Sequence, residues 1–263
     1  MISPGATGWT LDAESLHVRR AGREVLSGAS LHIRPGDCLS IIGPNGCGKT
    51  TLLLALLGLL TPHRGHVRLN GVEMHQVSAR QRGRFAALVP QGGPPPSAFR
   101  VADVVAAGRF PHIPPLRAMS RADEQAVSAA MERCGIAALA HRPIDAVSAG
   151  ERQNAMLASA LAQDPQLLLL DEPDTALDPG RQIDLLARLR EWRESGRSLV
   201  LVSHDLHLPA LLGGRCIGMR NGRVVIDGTT AEVLRSEALR GVFDAEFQEV
   251  TDAAGRRLIL PRW

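Results

Sequence analysis

The sequence predicts an α/β fold, one large domain with a helical segment set into it. Three observations lead there. Short, nearly continuous apolar runs at Asp37 to Ile42, Leu167 to Leu170 and Ser198 to Val202 read as strands covered on both faces. Between them lie stretches with helical spacing: Lys49 to Leu60, apolar all round, and a stripe of Ile183, Leu186, Leu189 and Trp192. From Gln91 to Val147 the character changes, opening on a Gly/Pro-rich loop, Gly92 to Pro96, and continuing mostly helical. With 263 residues and 28.2 kDa the chain suffices for one such domain. The expected division gives the core residues 1–90 and 164–263 and the inserted helical lobe residues 91–163.

The remaining elements follow in order. Ser15 to Arg19 and Ala29 to Ile33 alternate apolar and polar, as half-buried strands do, and His66 to Leu69 and Arg84 to Val89 read as further strands. Ser120 with Asp123 forms a capping box, and Val127, Ala130, Met131 and Cys134 give the helix behind it one apolar face. Ser148 with Glu151 forms another, ahead of a helix from Arg152 to Gln163. Cys216 to Met219 and Val224 to Ile226 flank Asn221-Gly222, a strong hairpin signal, and Ala231 to Trp263 reads as a helix and a weak hairpin or tail.

Composition excludes several classes. A hydrophobic share of 44% with no low-complexity tract excludes a disordered or fibrous chain. The longest apolar run, Leu52 to Leu60, falls well short of the roughly 20 residues a membrane-spanning helix needs. Met1 to Thr10 carries neither a basic residue nor an apolar core, so no secretory signal is expected and the chain is expected to stay in the cytosol. Cys38, Cys47, Cys134 and Cys216 are spaced for neither a zinc site nor a disulfide framework. A net charge of +3 without a concentrated basic stripe argues against nucleic acid as a partner. Of the 30 basic residues only Lys49 is a lysine. A GC-rich genome explains the arginine bias; a position that keeps lysine under that pressure needs a compact ammonium on a flexible stem.

Lys49 stands in Gly43-Pro44-Asn45-Gly46-Cys47-Gly48-Lys49-Thr50, which fits G-x-x-x-x-G-K-[ST] between a buried strand and a helix. Glycines let the backbone curl so that successive N–H groups face phosphate oxygens, and the helix start adds its positive dipole end. Lys49 would reach the β- and γ-phosphates of ATP, Thr50 would ligate Mg²⁺, and Thr51 continues the contact. Asp171 and Glu172 end the buried Leu167 to Leu170 strand. The first can hold Mg²⁺ and the second can polarise an attacking water. Four apolar residues and an acid often just end a strand; the phosphate loop upstream is what gives this pair its meaning. The Ser148 capping box with Gly150 beside it is a second candidate phosphate site, which needs a second nucleotide.

Gly43 to Thr50, Gln91, Val147 to Gln153, Leu167 to Pro173, Thr175 to Asp178 and His204 occur in the order and spacing of the nucleotide-binding subunit of ABC transporters, and the chain resembles that family from about Leu16 to Leu260. The resemblance implies a P-loop NTPase, RecA-like core, an antiparallel β subdomain and a helical lobe carrying the signature. It implies a homodimer with ATP between the P-loop of one copy and Ser148, Gly150 and Glu151 of the other. On matching positions, Gln91 resembles the glutamine that touches Mg²⁺ and the attacking water, Glu172 the catalytic base, Asp178 the aspartate that crosses the dimer interface, and His204 the γ-phosphate histidine. A lone strand-end histidine is more often merely solvated, so His204 rests on this context. The family also implies integral-membrane permease partners, a place on the cytoplasmic face of the inner membrane and, indirectly, an extracytoplasmic solute-binding protein.

Three positions depart from the family pattern. Ala149 stands where glycine is usual; a left-handed backbone there would cost about 1 kcal/mol, so a weakened site is expected. Arg20 aligns with the aromatic that stacks on adenine, which leaves either a guanidinium stack or a missing contact. Asp174 replaces a small polar residue. Val101 to Pro111, above all Gly108-Arg109-Phe110-Pro111, and the tail Leu239 to Pro261 resemble importers of iron-siderophores, haem and vitamin B12, although Gly108 to Pro111 also suits an ordinary turn. The alternatives are the ATPase of another import system, or a soluble or regulatory ABC ATPase that transports nothing. The long coiled-coil insertion of the repair type and the fused second cassette of the translation type are both missing.

Overall fold

In the computed structural model the described residues are 8–92, 99–175, 177–251 and 257–262. Most of Met1 to Thr10, most of the Gly/Pro-rich loop and Ala176 therefore lie outside them. The chain begins with two long antiparallel strands, β1 (Leu11–Arg20) and β2 (Arg23–Ile33), whose apolar alternation buries Leu11, Leu16, Val18, Leu26 and Ile33. The fully buried β3 (Cys38–Ile42) leads through the Gly-rich loop into α1 (Lys49–Leu56). That helix stops four residues before the expected Leu60, because Leu57 caps it and Gly58 turns the chain at φ +65°. β4 (Arg64–Leu69) and the short β5 (Val72–Glu73) complete an antiparallel sheet in the order β2-β1-β4-β5.

A capping box between Ser78 and Gln81 starts α2 (Ala79–Phe85). β6 (Ala86–Val89) accordingly begins two residues after the expected Arg84. Then come α3 (Val101–Ala107), α4 (Arg121–Arg133), α5 (Ala149–Ala162), β7 (Leu167–Asp171) and α6 (Pro179–Glu194). α4 has the expected Ser120 and Asp123 box and buries Ala130 and Met131. α5 starts three residues before the expected Arg152, since Ser148 caps it from outside. The buried stripe of α6 is Leu185, Leu189 and Trp192, whereas Ile183 is exposed: the stripe steps by four and three, and Ile183 falls off it.

β8 (Ser198–Val202), α7 (His207–Leu212), β9 (Arg215–Arg220) and β10 (Arg223–Thr229) follow, then two short helices, α8 (Thr230–Val233) and α9 (Ser236–Phe243), where one was expected. The hairpin β11 (Phe247–Thr251) and β12 (Arg257–Pro261) closes the described chain.

Two compact units result, one of Ser78–Trp192 and one of the described residues before and after it. In the first, β6 and β7 pair in parallel and α3 and α4 pack on α5, so the helical lobe shares its unit with two core strands. In the second, β3 lies between β8 and β9 in parallel register, β10 extends the sheet antiparallel, and the β1–β2–β4–β5 sheet is the antiparallel β subdomain. The fold class is the expected α/β one. Among the described residues no helix is long and apolar enough to cross a membrane.

Candidate active site

The phosphate-loop glycines follow the backbone requirement. Gly43, Gly46 and Gly48 have φ of +153°, +77° and +109°. A side chain at Gly48 would be strained, and its Cβ would press on Leu26 Cδ2 at 2.8 Å and the Val25 carbonyl at 2.9 Å. At Gly46 the corresponding space is open. Lys49 is only 5% exposed, and its ammonium donates to the carbonyls of Gly43 at 2.8 Å and Pro44 at 3.1 Å, so it spans the loop from inside. Pro44, Asn45 and Thr50 lie toward the surface, Thr51 faces the core, and the Cys47 thiol is buried, which pushes its pKa up. The hairpin turn Asn221-Gly222, with φ of +50° and +74°, props the loop: Gly222 N–H donates to the Cys47 carbonyl at 3.0 Å. That prop was invisible in the hairpin signal alone.

His204 follows β8 in the same unit and is exposed. The turn that presents it is fixed by its neighbours: Ser203 N–H donates to the Ile41 carbonyl at 3.2 Å, and Asp205 N–H donates to Ser203 Oγ at 3.0 Å.

In the other unit β7 ends in Asp171, 3% exposed, and the chain turns at Glu172 with φ +47°. A left-handed glutamate costs roughly 1–2 kcal/mol, and such strain gathers where a side chain must be aimed. Gln91 Nε2 donates to Glu172 Oε2 at 2.5 Å, so the structure brings together the glutamine and the acid, 81 residues apart. Thr175 closes the turn, its hydroxyl donating to the Glu172 carbonyl at 3.2 Å. Asp174, in the same turn, is buried.

Ser148 and Glu151 make the expected reciprocal cap: Ser148 N–H donates to Glu151 Oε2 at 2.8 Å, and Glu151 N–H donates to Ser148 Oγ at 3.3 Å. The bonds from the Ser148 backbone and hydroxyl, then the charges of Arg181 and Arg142, hold the Glu151 carboxyl below its usual range. Ala149 is the first residue of α5 and has no left-handed backbone, and its methyl is exposed. The expected backbone penalty is therefore absent. Asp178 starts α6, its Oδ1 accepting the Arg181 N–H at 3.0 Å. Sequence reasoning missed Arg181, although a cation three residues after an aspartate at a helix start is a recognisable pair. Arg20 is exposed at the end of β1. Arg109, prominent in the Gly108 to Pro111 segment, is tied down by Asp123 at 2.9 Å and the Ala162 carbonyl at 2.7 Å, which gives that segment a structural role inside the lobe.

The family model for ABC transporters matches residues 26–175, more than half of the chain. This chain belongs to the ABC transporter family. It is 37% identical over 244 residues to the iron(3+)-hydroxamate import ATP-binding protein FhuC of Bacillus subtilis, covering 92% of this chain and 91% of that one. It is 41% identical over 241 residues to a hemin import ATP-binding protein HmuV of Pseudomonas fluorescens, covering 90% and 93%. Among solved structures, a chain from an inward-facing conformation of a metal-chelate type ABC transporter matches with a TM-score of 0.82 at 26% identity, over 97% of this chain and 98% of that one. ABC transporter ATP-binding subunits hydrolyse ATP, and this chain is an ATPase of that family.

Proposed function

We propose that the chain is the ATP-hydrolysing subunit of an importer that takes up a metal chelate, an iron-siderophore, haem or cobalamin, through a separate permease. The observation that supports the ATPase part is the loop of left-handed glycines around the chain's single lysine, a backbone shape suited to cradling phosphate. The substrate class is supported by relatives named for ferric hydroxamate, hemin and cobalamin import.

In this reading the backbone N–H groups of the Gly43 to Thr51 loop, Pro44 having none, and the Lys49 ammonium bind the β- and γ-phosphates of ATP. Ser148, Gly150, Glu151 and Asp178 act on the nucleotide of a second copy, which makes the working unit a homodimer. Glu172 takes the proton of the attacking water, aimed by its turn and by Gln91, and His204 contacts the γ-phosphate. The donors available for Mg²⁺ are all oxygens: the exposed Thr50 hydroxyl, the Asp171 carboxylate and the Gln91 amide. Oxygen donors with a single carboxylate among them suit a hard cation that completes its shell with phosphate and water. When bound, Mg²⁺ neutralises charge on the phosphates. The whole chain then acts as one ATPase domain with its helical lobe at 91–163, at the cytoplasmic face of the inner membrane, served by an extracytoplasmic binding protein.

The test is ATP-dependent uptake in vesicles holding the chain with its permease. Ferric siderophore, haem and cobalamin are offered separately, with a sugar and an amino acid as controls. Uptake of one chelate, abolished by Lys49→Ala, is expected; uptake of the sugar or amino acid in its place would contradict the substrate class.

A further inference from the structure

The Ser148 and Asp178 turns share one side chain. Arg181, in the first turn of α6, places Nε 3.4 Å from Asp178 Oδ2, and its Nη1 donates to Ser148 Oγ at 3.5 Å. The same guanidinium lies over Gly150, where a Cβ would run into it. Its charge also reaches the Glu151 carboxyl. One cation thus touches the carboxylate that starts one helix and the hydroxyl and glycine that start another. With 35% of its side chain exposed, it does this at the surface.

We propose that Arg181 is a positioning residue for the nucleotide shared by two copies: it ties the Ser148 hydroxyl and the Asp178 carboxylate into one arrangement. It also offsets the Asp178 charge that would otherwise repel a phosphate. This rests on the dimer reading above. A planar guanidinium holds its donors on separate nitrogens in a fixed fork, so Nε faces Asp178 while Nη1 faces Ser148, a spread that the single nitrogen of an ammonium does not reproduce. Gly150 is then needed for its missing side chain, because Arg181 occupies that space. Arg181 acts through Ser148 and Asp178 and takes no proton.

The test uses the full chain carrying Glu172→Gln, so that ATP is not consumed. Analytical ultracentrifugation gives the ATP concentration at which half the chain is dimeric, and binding at high dilution gives the affinity of the monomer. Adding Arg181→Gln should raise the dimerisation midpoint about tenfold, the scale of one lost charge-assisted bond, with monomer affinity changed by less than about twofold. Arg181→Lys should recover only part of that loss. In the assembled transporter with Glu172 intact, Arg181→Gln should raise KM for ATP while kcat changes by less than about twofold. An unchanged midpoint, an equal loss of monomer affinity, or full recovery with lysine would overturn the proposal. If the Glu172→Gln parent itself stays monomeric with ATP, the dimer reading falls and the proposal with it. A dimeric parent indifferent to Arg181→Gln overturns the proposal alone.

Discussion

Two glycine-bearing turns start helices in this protein, and they use glycine for different reasons. In the phosphate loop, Gly48 holds a backbone angle of +109° and is walled by Val25 and Leu26. In the Ser148 turn, Gly150 lies inside α5 with an ordinary helical backbone, and the atoms nearest the space beside it belong to the Arg181 side chain. The first glycine is demanded by the main chain. The second is demanded by a neighbour that can move. Tolerance to substitution should therefore differ sharply between two turns that look alike as sequence.

The largest effect should come from the loop's cation. Lys49→Ala should abolish hydrolysis and sharply weaken ATP binding, and Lys49→Arg should fail as well, since a planar guanidinium cannot repeat the two bonds to Gly43 and Pro44 from inside the loop. Turnover assays on both variants check this, and near-normal rates for the arginine form would undo the reading of Lys49. The glycine pair comes next. Gly48→Ala should lose nucleotide binding, because the φ alone costs roughly 1–2 kcal/mol and the Cβ meets a backbone carbonyl that cannot turn away. Gly150→Ala should fold with an unchanged or slightly raised Tm and weaken only ATP-driven dimerisation, by about the factor expected for losing the Arg181 contact. Equal damage from the two, in nucleotide-binding titrations and melting curves, would erase the distinction. The smallest effect should come from Ala149→Gly. The wild-type residue is unstrained, so removing its methyl restores nothing. We expect ATPase activity within about twofold and a loss of stability of no more than ~1 kcal/mol, read from thermal melts.

Most of the architecture was legible because its signals are local. The apolar runs at β3, β7 and β8 admit few readings, and the boxes at Ser120 and Ser148 mark helix starts by the identities of two residues. Asn221-Gly222 fixes a tight turn for a similar reason. What escaped was relational. Nothing local says that this turn props Cys47, that Arg84 and Phe85 end a helix instead of opening a strand, or that Ile183 faces out while Leu185 faces in. Ala149 shows the opposite error. Comparison with a family motif suggested a strained methyl, but a strained methyl requires a left-handed backbone, and the cap at Ser148 sets a helical one. The candidate residues were found by motif; the strain at Glu172, its bond to Gln91 and the reach of Arg181 needed coordinates.

The central claim is that Glu172 is aimed by its turn to act as a general base on ATP, and Glu172→Gln in the assembled transporter tests it most directly. The amide keeps the shape and a hydrogen-bonding partner for Gln91 but cannot take a proton. Binding of Mg-ATP should survive, the chain should accumulate as an ATP-bound dimer, and steady-state hydrolysis should fall by roughly 10²–10⁴-fold. Hydrolysis within about threefold of wild type, with ATP bound normally, would contradict the assignment, because a general base cannot be removed at so small a cost.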